Sequence, residues 1–310
     1  MSAFLAELPD TTQQTYVVLA ESLEEGEQLP IRELIGYLKH PEDSIRKLTL
    51  ELLEYRNDPT SIPALLDAAS DLNIEVSVAA HEILRSFRHP QAVRYLIGGL
   101  YNAKSEVRLA AIMALRERRV GEAIEGLITA LGDPDAEIRR EAVIALAYYR
   151  RADLAMALRS ALRDESSAVR KAAVIAMGEF DGAFVFDDLI VALSDPSWSV
   201  RREAAAALPK FPVMDTVSAL QDALNDPAWQ VVREAIIGLS RLRAPVEEGL
   251  LALLQHELPD LRVSAAGAVG ELGGIEALPR LEALLADENP RVQKAARRAV
   301  ERIVAQAAEY

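Results

Sequence analysis

The chain has 310 residues and a formal net charge of −14, since 48 acidic side chains outnumber 34 basic ones. It contains no Cys, which excludes disulfides, thiolate metal sites and a catalytic Cys. A pI near 4.9 disfavours generic nucleic-acid binding, which needs a basic surface, and no uncharged apolar run approaches the roughly 18 residues that indicate a membrane span.

The first 30 residues differ in composition from the rest of the chain. They contain six acidic residues and no Lys or Arg, and they predict a polar N-terminal capping helix over residues 1–30. The starting sequence MSAFLAELPD lacks the basic start and apolar run of a secretion signal, so we expect a cytoplasmic protein.

From residue 31 onward an aliphatic residue recurs every 31 residues, with a single interval of 30. This row consists of Ile45, Val76, Val107, Ile138, Val169, Val200, Val231, Leu261 and Val292. Counted from the row as position 0, apolar or small residues fall at +4, +7, +8 and +11, which is one face of a helix. In the fourth repeat they are Ala142, Ala145, Leu146 and Tyr149.

Each repeat also carries signals for the ends of helices. An Asp–Pro pair at −5 and −4, as in Asp133–Pro134, Asp195–Pro196 and Asp226–Pro227, predicts Asp as N-cap and Pro as the first helical residue. A shorter helix precedes it, as over 123–131 and 276–286. The sequence therefore predicts an all-α protein, an α-solenoid of about nine 31-residue helical hairpins, forming one elongated domain over 31–310.

The repeat motif D-P-x-x-x-V-R-x-x-A-x-x-A-L, over about residues 31–305, resembles HEAT repeats, specifically the short bacterial class named after phycobilin lyases. The resemblance implies a ladder in which the Arg at +1 hydrogen-bonds to the Asp at −5 between repeats. The arginines that match are Arg46, Arg108, Arg139, Arg170, Arg201 and Arg262. Ser77, Val232 and Gln293 depart, and His40 and His256 replace the Asp. We therefore expect a looser ladder in the second repeat and near the C-terminus.

Enzyme classes with this fold were considered and disfavoured. The pairs His81–Glu82 and His256–Glu257 are similar to those of the HEAT-repeat di-iron hydroxylase that modifies deoxyhypusine, but they stand at different repeat positions and cannot converge by repeat symmetry. A HEAT-like DNA glycosylase needs a basic groove, which a charge of −14 disfavours. Phosphate-loop and nucleophile-elbow motifs are missing from the sequence. We expect a protein that is not an enzyme, with no metal or cofactor.

Aromatic residues suggest two further features. Trp198 and Trp229 share position −2 in adjacent repeats. One interpretation is an aromatic clamp of two rings about 10 Å apart. We favour the other, in which both are loop residues that cap the packing between repeats. At the ends of the third and fourth repeats, Arg118 and Tyr149 fall in the core column at +11. Tyr148 and Arg151 are then expected to be free for binding.

A candidate binding surface lies on the opposite side of the second helix of each repeat, which lines the concave groove in HEAT arrays. Position +6 is apolar and reads Met113, Ile144, Ile175, Ala206 and Ile237. Position +2 is basic and reads Lys47, Arg140, Lys171, Arg202, Arg233 and Lys294. An alternative is that the next repeat covers +6 and that local acids such as Glu141, Glu203 and Glu234 neutralise the bases.

These patterns favour a non-catalytic scaffold, adaptor or assembly factor whose groove binds a partner protein, for example an acidic amphipathic segment. We expect neither nucleic acid nor a membrane as partner. The resemblance implies an alternative, a phycobilin lyase or bilin-chaperone subunit. Such a subunit would hold a tetrapyrrole with its propionates against Arg140, Lys171 or Arg202 and its rings on Tyr148 or Trp198.

Overall fold

The computed structural model describes residues 9–25, 29–180, 185–211 and 214–308. The chain divides into two compact units, Met1–Arg150 (unit 1) and Arg151–Tyr310 (unit 2). All regular secondary structure in the described residues is helical, and none of these helices is long and apolar enough to cross a membrane. The expectation of one elongated domain over 31–310 stays a prediction.

Unit 1 is a stack of helical hairpins. Its described α-helices are α1 (Asp10–Glu25), α2 (Ile31–Tyr37), α3 (Asp43–Arg56), α4 (Ile62–Ala68), α5 (Ile74–Ser86), α6 (Ala92–Gly99), α7 (Ser105–Arg116), α8 (Ile124–Ala130) and α9 (Ala136–Ala147). From α2 onward they pair into hairpins, each a short first helix packed on a longer second helix. The second helices α3, α5, α7 and α9 also pack on one another in turn.

Unit 2 repeats the same arrangement. Its described α-helices are α10 (Ala155–Ala161), α11 (Ser167–Met177), α12 (Phe186–Ala192), α13 (Trp198–Ala207), α14 (Met214–Ala223), α15 (Trp229–Arg241), α16 (Glu248–Ala252), α17 (Pro259–Leu272), α18 (Leu278–Ala283) and α19 (Pro290–Ala308). The second helices α11, α13, α15, α17 and α19 pack on one another in turn. The predicted fold class, an all-α α-solenoid of helical hairpins, is confirmed.

The predicted capping segment contains one described helix. Helix α1 packs on α3, and its Leu19 is fully buried, whereas Glu21 is exposed. Residues 1–8 and 26–28 of that segment lie outside the described residues, and the assignment of 1–30 as a cap stays a prediction.

The buried core follows the predicted repeat positions and includes one more. In α9 the residues at 0, +4, +7 and +8 are buried, whereas Tyr149 at +11 is half-buried and its hydroxyl donates to the Val120 carbonyl at 2.8 Å. Position +5 is also fully buried in the third to seventh repeats, although the sequence pattern did not indicate it: Ile112, Val143, Val174, Ala205 and Ile236. Each second helix packs on a first helix and on neighbouring second helices, so its buried face is wider than that of a helix with one neighbour.

The predicted N-cap role of the Asp at −5 is wrong. Helices α9, α13 and α15 each begin two residues later than predicted, and the Pro at −4 precedes the helix. The Asp instead caps the turn before the helix, because its Oδ1 accepts a backbone N–H two residues on. Asp133 accepts from Asp135 at 2.9 Å, and Asp195 accepts from Ser197 at 2.7 Å.

The same Asp joins neighbouring hairpins through an ion pair with Arg. Arg108 donates from Nε and Nη2 to both carboxylate oxygens of Asp133 at 2.7 and 2.9 Å, and Arg201 does so to Asp226 at 2.6 and 2.8 Å. The same ion pairs join Arg46 to Asp71, Arg170 to Asp195 and Arg262 to Asp287. From Nη1 each Arg also donates to the carbonyls at −5 and −4 of its own repeat.

Where another residue replaces the Arg at +1 of a repeat, another residue also replaces its ion-pair partner, the Asp at −5 of the next repeat. Ser77 stands at +1 of the second repeat, and the third repeat has Asn102 at −5. Val232 stands at +1 of the seventh repeat, and the eighth has His256 at −5. The Nδ1 of His256 accepts the Leu258 N–H at 3.0 Å, so the imidazole still caps the turn.

The ion pair changes the acid–base behaviour of its carboxylate. Burial raises the pKa of Asp226, but the hydrogen bonds from Arg201 and from the Ala228 backbone N–H outweigh it, and the pKa lies below its ordinary value of 3.8. A carboxyl whose pKa is lowered by folding stabilises the fold above its unfolded pKa. That contribution is lost as the pH falls below 3.8 through the folded pKa.

Arg201→Ala is expected to lower the free energy of unfolding by about 3 kcal/mol, because it leaves the part-buried carboxylate of Asp226 without its partner. Urea unfolding followed by circular dichroism at neutral pH measures this loss. Arg202→Ala is the matched control: the neighbouring side chain is more exposed, and its removal is expected to cost less than about 1 kcal/mol.

The pH dependence identifies the cause. Once Asp226 is protonated, the wild type loses the same ion pair, so the difference between wild type and Arg201→Ala should shrink as the pH falls below 3.8. A difference that stays constant down to that pH would mean that lost side-chain packing, and not the ion pair, is responsible.

Candidate partner-binding face

The predicted binding residues of unit 1 lie on the two neighbouring helices α7 and α9. Met113 and Ile144 at +6 are half-buried, so the next repeat does not cover them fully. Arg140 at +2 donates from Nη2 to Glu141 at 2.8 Å, and Arg116 at the end of α7 donates to the other oxygen of Glu141 at 3.2 Å. The buried carboxylate of Glu141 therefore joins α7 to α9.

Tyr148 is exposed, and two arginines contact its ring. Its ring is 40% exposed, and the guanidinium carbons of Arg116 and Arg119 both lie 5.7 Å from the ring centroid. Arg151, the other residue expected to be free, pairs with Asp153 at 2.6 Å in unit 2.

The side chain of Arg118 at +11 is half-buried, and its guanidinium binds backbone carbonyls. Its Nη2 donates to the Leu84 carbonyl at 2.7 Å and its Nε to the Ala114 carbonyl at 3.0 Å. Burial, and then the charge of Arg88, lower its pKa below the ordinary Arg value.

In unit 2 the apolar row is more open. Ile175 on α11 is 45% exposed and Ile237 on α15 is half-buried. Lys171, one turn before Ile175, makes no ion pair within the described residues. The side chains of α11 therefore present an apolar anchor and an available positive charge.

The two tryptophans belong to a repeated unit of three side chains. Trp198 and Trp229 are the first residues of α13 and α15, not loop residues, and they are 43% and 36% exposed. Arg202 lies 5.9 Å from the Trp198 ring and pairs with Glu203. In the same way Arg233 lies 5.5 Å from the Trp229 ring and pairs with Glu234 at 3.1 Å.

The Glu at +3 therefore neutralises the Arg at +2 in α9, α13 and α15, as the alternative interpretation of the sequence expected. The pairing uses Nη2, and the Nε atoms of Arg140 and Arg233 have no hydrogen-bond partner among the described residues. The sequence marks the basic runs over 116–119 and 148–151 as possible binding patches, but it did not predict that Arg116 and Arg119 contact the Tyr148 ring. A signal was present, because arginines occur at +9 and +12 in both the second and the third repeats.

The residues considered for metal binding are engaged with the backbone. Nδ1 of His81 lies 2.9 Å from the Ser77 carbonyl, and Nδ1 of His256 accepts the Leu258 N–H. In the part of the chain that the structure describes, no three His, Asp or Glu side chains are grouped to hold a metal ion.

A shallow pocket of about 290 Å³ lies beside α10–α13 in unit 2. Three of its charged side chains are engaged in ion pairs, since Arg159 pairs with Asp188 at 2.7 Å and Asp195 pairs with Arg170 at 2.7 Å. Small-molecule sites are usually apolar clefts of roughly 300–1,000 Å³ with a few convergent polar groups. This pocket therefore gives no argument for a cofactor.

Comparison with known proteins identifies one family. The family model described as HEAT repeats matches residues 31–116, 124–189, 186–248 and 247–308. A search of curated protein sequences finds no significant match.

Solved structures with a similar fold include three that span nearly all of this chain. YibA of Escherichia coli is 21% identical over 96% of this chain and 98% of its own, with a TM-score of 0.52. An engineered protein is 20% identical over 97% of both chains, with a TM-score of 0.50. A chain from a structure of Kap95p bound to RanGDP is 14% identical over 99% of this chain and 48% of its own, with a TM-score of 0.63. At these identities the likeness concerns the fold.

Trp198→Ala and Trp229→Ala are each expected to lower the free energy of unfolding by no more than about 1 kcal/mol, because the rings are partly exposed and bound chiefly by one Arg. Chemical denaturation of the two variants measures the effect. A loss of about 3 kcal/mol or more, typical of a truncated core aromatic, would instead support the role of capping the packing between repeats.

Proposed function

The chain belongs to the HEAT-repeat family, and we propose that it is a non-catalytic scaffold, adaptor or assembly factor that binds a partner protein. The observation that supports this most strongly is the incomplete burial of the apolar row at +6. Ile144 in unit 1 and Ile175 in unit 2 lie on helices α9 and α11, whose other Ile, Val, Leu and Met side chains are buried. A partner that covers these isoleucines removes apolar surface from water, and this burial favours the complex.

The surrounding side chains favour a partner that is both apolar and acidic. In unit 2, Lys171 is unpaired within the described residues, and Arg202 and Arg233 lie against exposed Trp rings. Aromatic rings and arginines are the residues that most often dominate binding at protein interfaces. An amphipathic helix with apolar anchors and flanking carboxylates has the matching chemistry. The location of this face in a concave groove is part of the proposal.

Ile144→Asp and Ile175→Asp are expected to abolish partner binding, because each places a charge where the partner would bury an apolar side chain. Native mass spectrometry of the protein purified gently from its own host measures the co-purifying partner for wild type and both variants. The helical circular dichroism spectrum should be unchanged, since both side chains are incompletely buried.

Val191→Asp provides the matched control. Val191 is 72% exposed and lies on α12, which is the first helix of its hairpin. Its substitution by Asp therefore adds the same charge at an exposed apolar residue that is not on a second helix. The Val191→Asp variant should still co-purify with the partner protein. Retention of the partner by both Ile variants, or its equal loss from Val191→Asp, would contradict the assignment of the face.

The alternative is a bilin-binding subunit related to phycobilin lyases. Its support is the repeat motif together with the Trp198–Arg202 and Trp229–Arg233 pairs, which could stack on pyrrole rings and bind propionates. Mixing with a bilin at micromolar concentration should then shift the visible absorbance, and Arg202→Ala should reduce the shift. An unchanged spectrum would eliminate this alternative and leave the scaffold function untouched.

A further inference from the structure

Basic side chains are concentrated where three neighbouring second helices of unit 1 end. Arg85 lies in the last turn of α5 and Arg88 just after it, Arg116 ends α7, and Arg119 follows in the next turn. Tyr148 follows α9 and contacts the two arginines of α7. Together Arg85, Arg88, Arg116, Arg119 and Tyr148 form what is called here the arginine edge.

These side chains keep most of their hydrogen-bond donors available. Within the described residues Arg85 has no side-chain partner, and Arg88 donates only from Nη1, to the Arg85 carbonyl at 2.9 Å. Arg116 donates to Glu141 at 3.2 Å, and Arg119 contacts only the Tyr148 ring. The arginine edge is therefore less neutralised than the Arg–Glu pairs at +2 and +3.

The backbone at Arg119 has a conformation that Gly adopts with less strain than Arg. Arg119 has a φ of 50°, in the left-handed region, and so do Asn57, Arg150 and Arg243 at the same repeat position. Gly, and after it Asn, are the residues that adopt this conformation at helix ends with little cost. An Arg is strained there, so the fold alone favours another residue.

We infer that the arginine edge binds an acidic, extended peptide segment of a partner protein, with its carboxylates on the arginines and its chain against the ring of Tyr148. The inference rests on the proposed protein-binding function and names the chemistry of one partner segment. Packed helices lie about 10 Å apart, and an extended chain advances about 3.3 Å per residue. Carboxylates three residues apart can therefore meet the arginines after α5 and those after α7, and the chain then continues against Tyr148 after α9.

A peptide explains this surface better than a nucleic acid does. A duplex or single strand carries closely spaced phosphates that require a broad basic surface, whereas this chain has a net charge of −14. Exposed Glu82 and Glu117 lie within three residues of arginines of the edge and would repel a continuous polyanion. A peptide with spaced carboxylates avoids them.

The inference is tested by fluorescence anisotropy with a labelled 15-residue peptide. The peptide has Glu at every third position and Ser elsewhere, and the control peptide has Gln in place of each Glu. The full-length protein should bind the Glu peptide at low salt, not the Gln peptide, and binding should weaken as salt screens the charges. Arg85→Ala/Arg119→Gly should weaken binding about tenfold, since two partly exposed ion pairs are lost. The single variant Arg119→Gly should bind the Glu peptide less tightly than the wild type does. Its melting temperature should not fall, because Gly adopts the left-handed φ without strain.

Arg243→Gly is the matched control, since Arg243 has a φ of 51° at the same repeat position in unit 2 and lies outside the arginine edge. It should match Arg119→Gly in melting temperature and leave peptide binding unchanged. The inference is overturned if the Glu and Gln peptides bind alike, if Arg243→Gly weakens binding equally, or if an oligonucleotide of equal charge binds more tightly. A dimer in sedimentation that Arg119→Gly abolishes would assign the edge to a second copy instead. If the Arg85→Ala/Arg119→Gly variant loses peptide binding but still co-purifies with the natural partner, this inference alone is rejected. The proposed scaffold function then still stands.

Discussion

The ion pair between the Arg at +1 of one repeat and the Asp at −5 of the next is the constraint on which each unit depends. The Arg binds two carboxylate oxygens of its neighbour and two carbonyls of its own repeat, as Arg201 does, so one side chain sets the register of two hairpins. An Asp left there without its Arg would be a part-buried, unpaired carboxylate. This explains why Ser77 is accompanied by Asn102 and Val232 by His256. The carbonyl contacts need no particular side chain at −5, so an interruption does not spread along the stack.

The packing sets the register of every second helix, and the side chains at −2, +2 and +6 are then exposed or half-buried. These positions, and the ends of the second helices, differ between the two units. In unit 2 the Glu at +3 neutralises the arginines beside Trp198 and Trp229, so aromatic and apolar surface would supply most of the binding energy there. In unit 1 Arg85, Arg88 and Arg119, near the ends of α5 and α7, have no carboxylate partner among the described residues. There, specificity for carboxylates would come mainly from charge. The two units thus offer different chemistry on equivalent positions.

The sequence predicted the hairpins, the repeat period and the core positions, because these follow from the periodicity of apolar residues alone. It failed where a residue has two roles. Asp133 looks like an N-cap, but its carboxylate both caps the preceding turn and binds Arg108, so α9 begins later. The buried row at +5, including Val143, was missed because the pattern of one amphipathic helix does not count the neighbouring second helices. The contacts of Tyr148 were missed because both arginines come from the preceding repeat.

A repeat protein contains its own control for separating structural from functional residues. Whatever the stack requires must recur at the same position in nearly every repeat, as the aliphatic residue at 0 and the small residue at +4 do. An exposed residue type confined to two adjacent repeats meets no such requirement. Trp at −2 occurs in the sixth and seventh repeats only, and Arg at both +9 and +12 in the second and third only. Both pairs lie on neighbouring second helices, and Arg119 also occupies a backbone conformation that disfavours it. The fold explains part of this pattern, since Arg116 also pairs with Glu141, and the proposed ligand spanning two repeats would explain why the other arginines and the Trp rings are confined to neighbouring repeats.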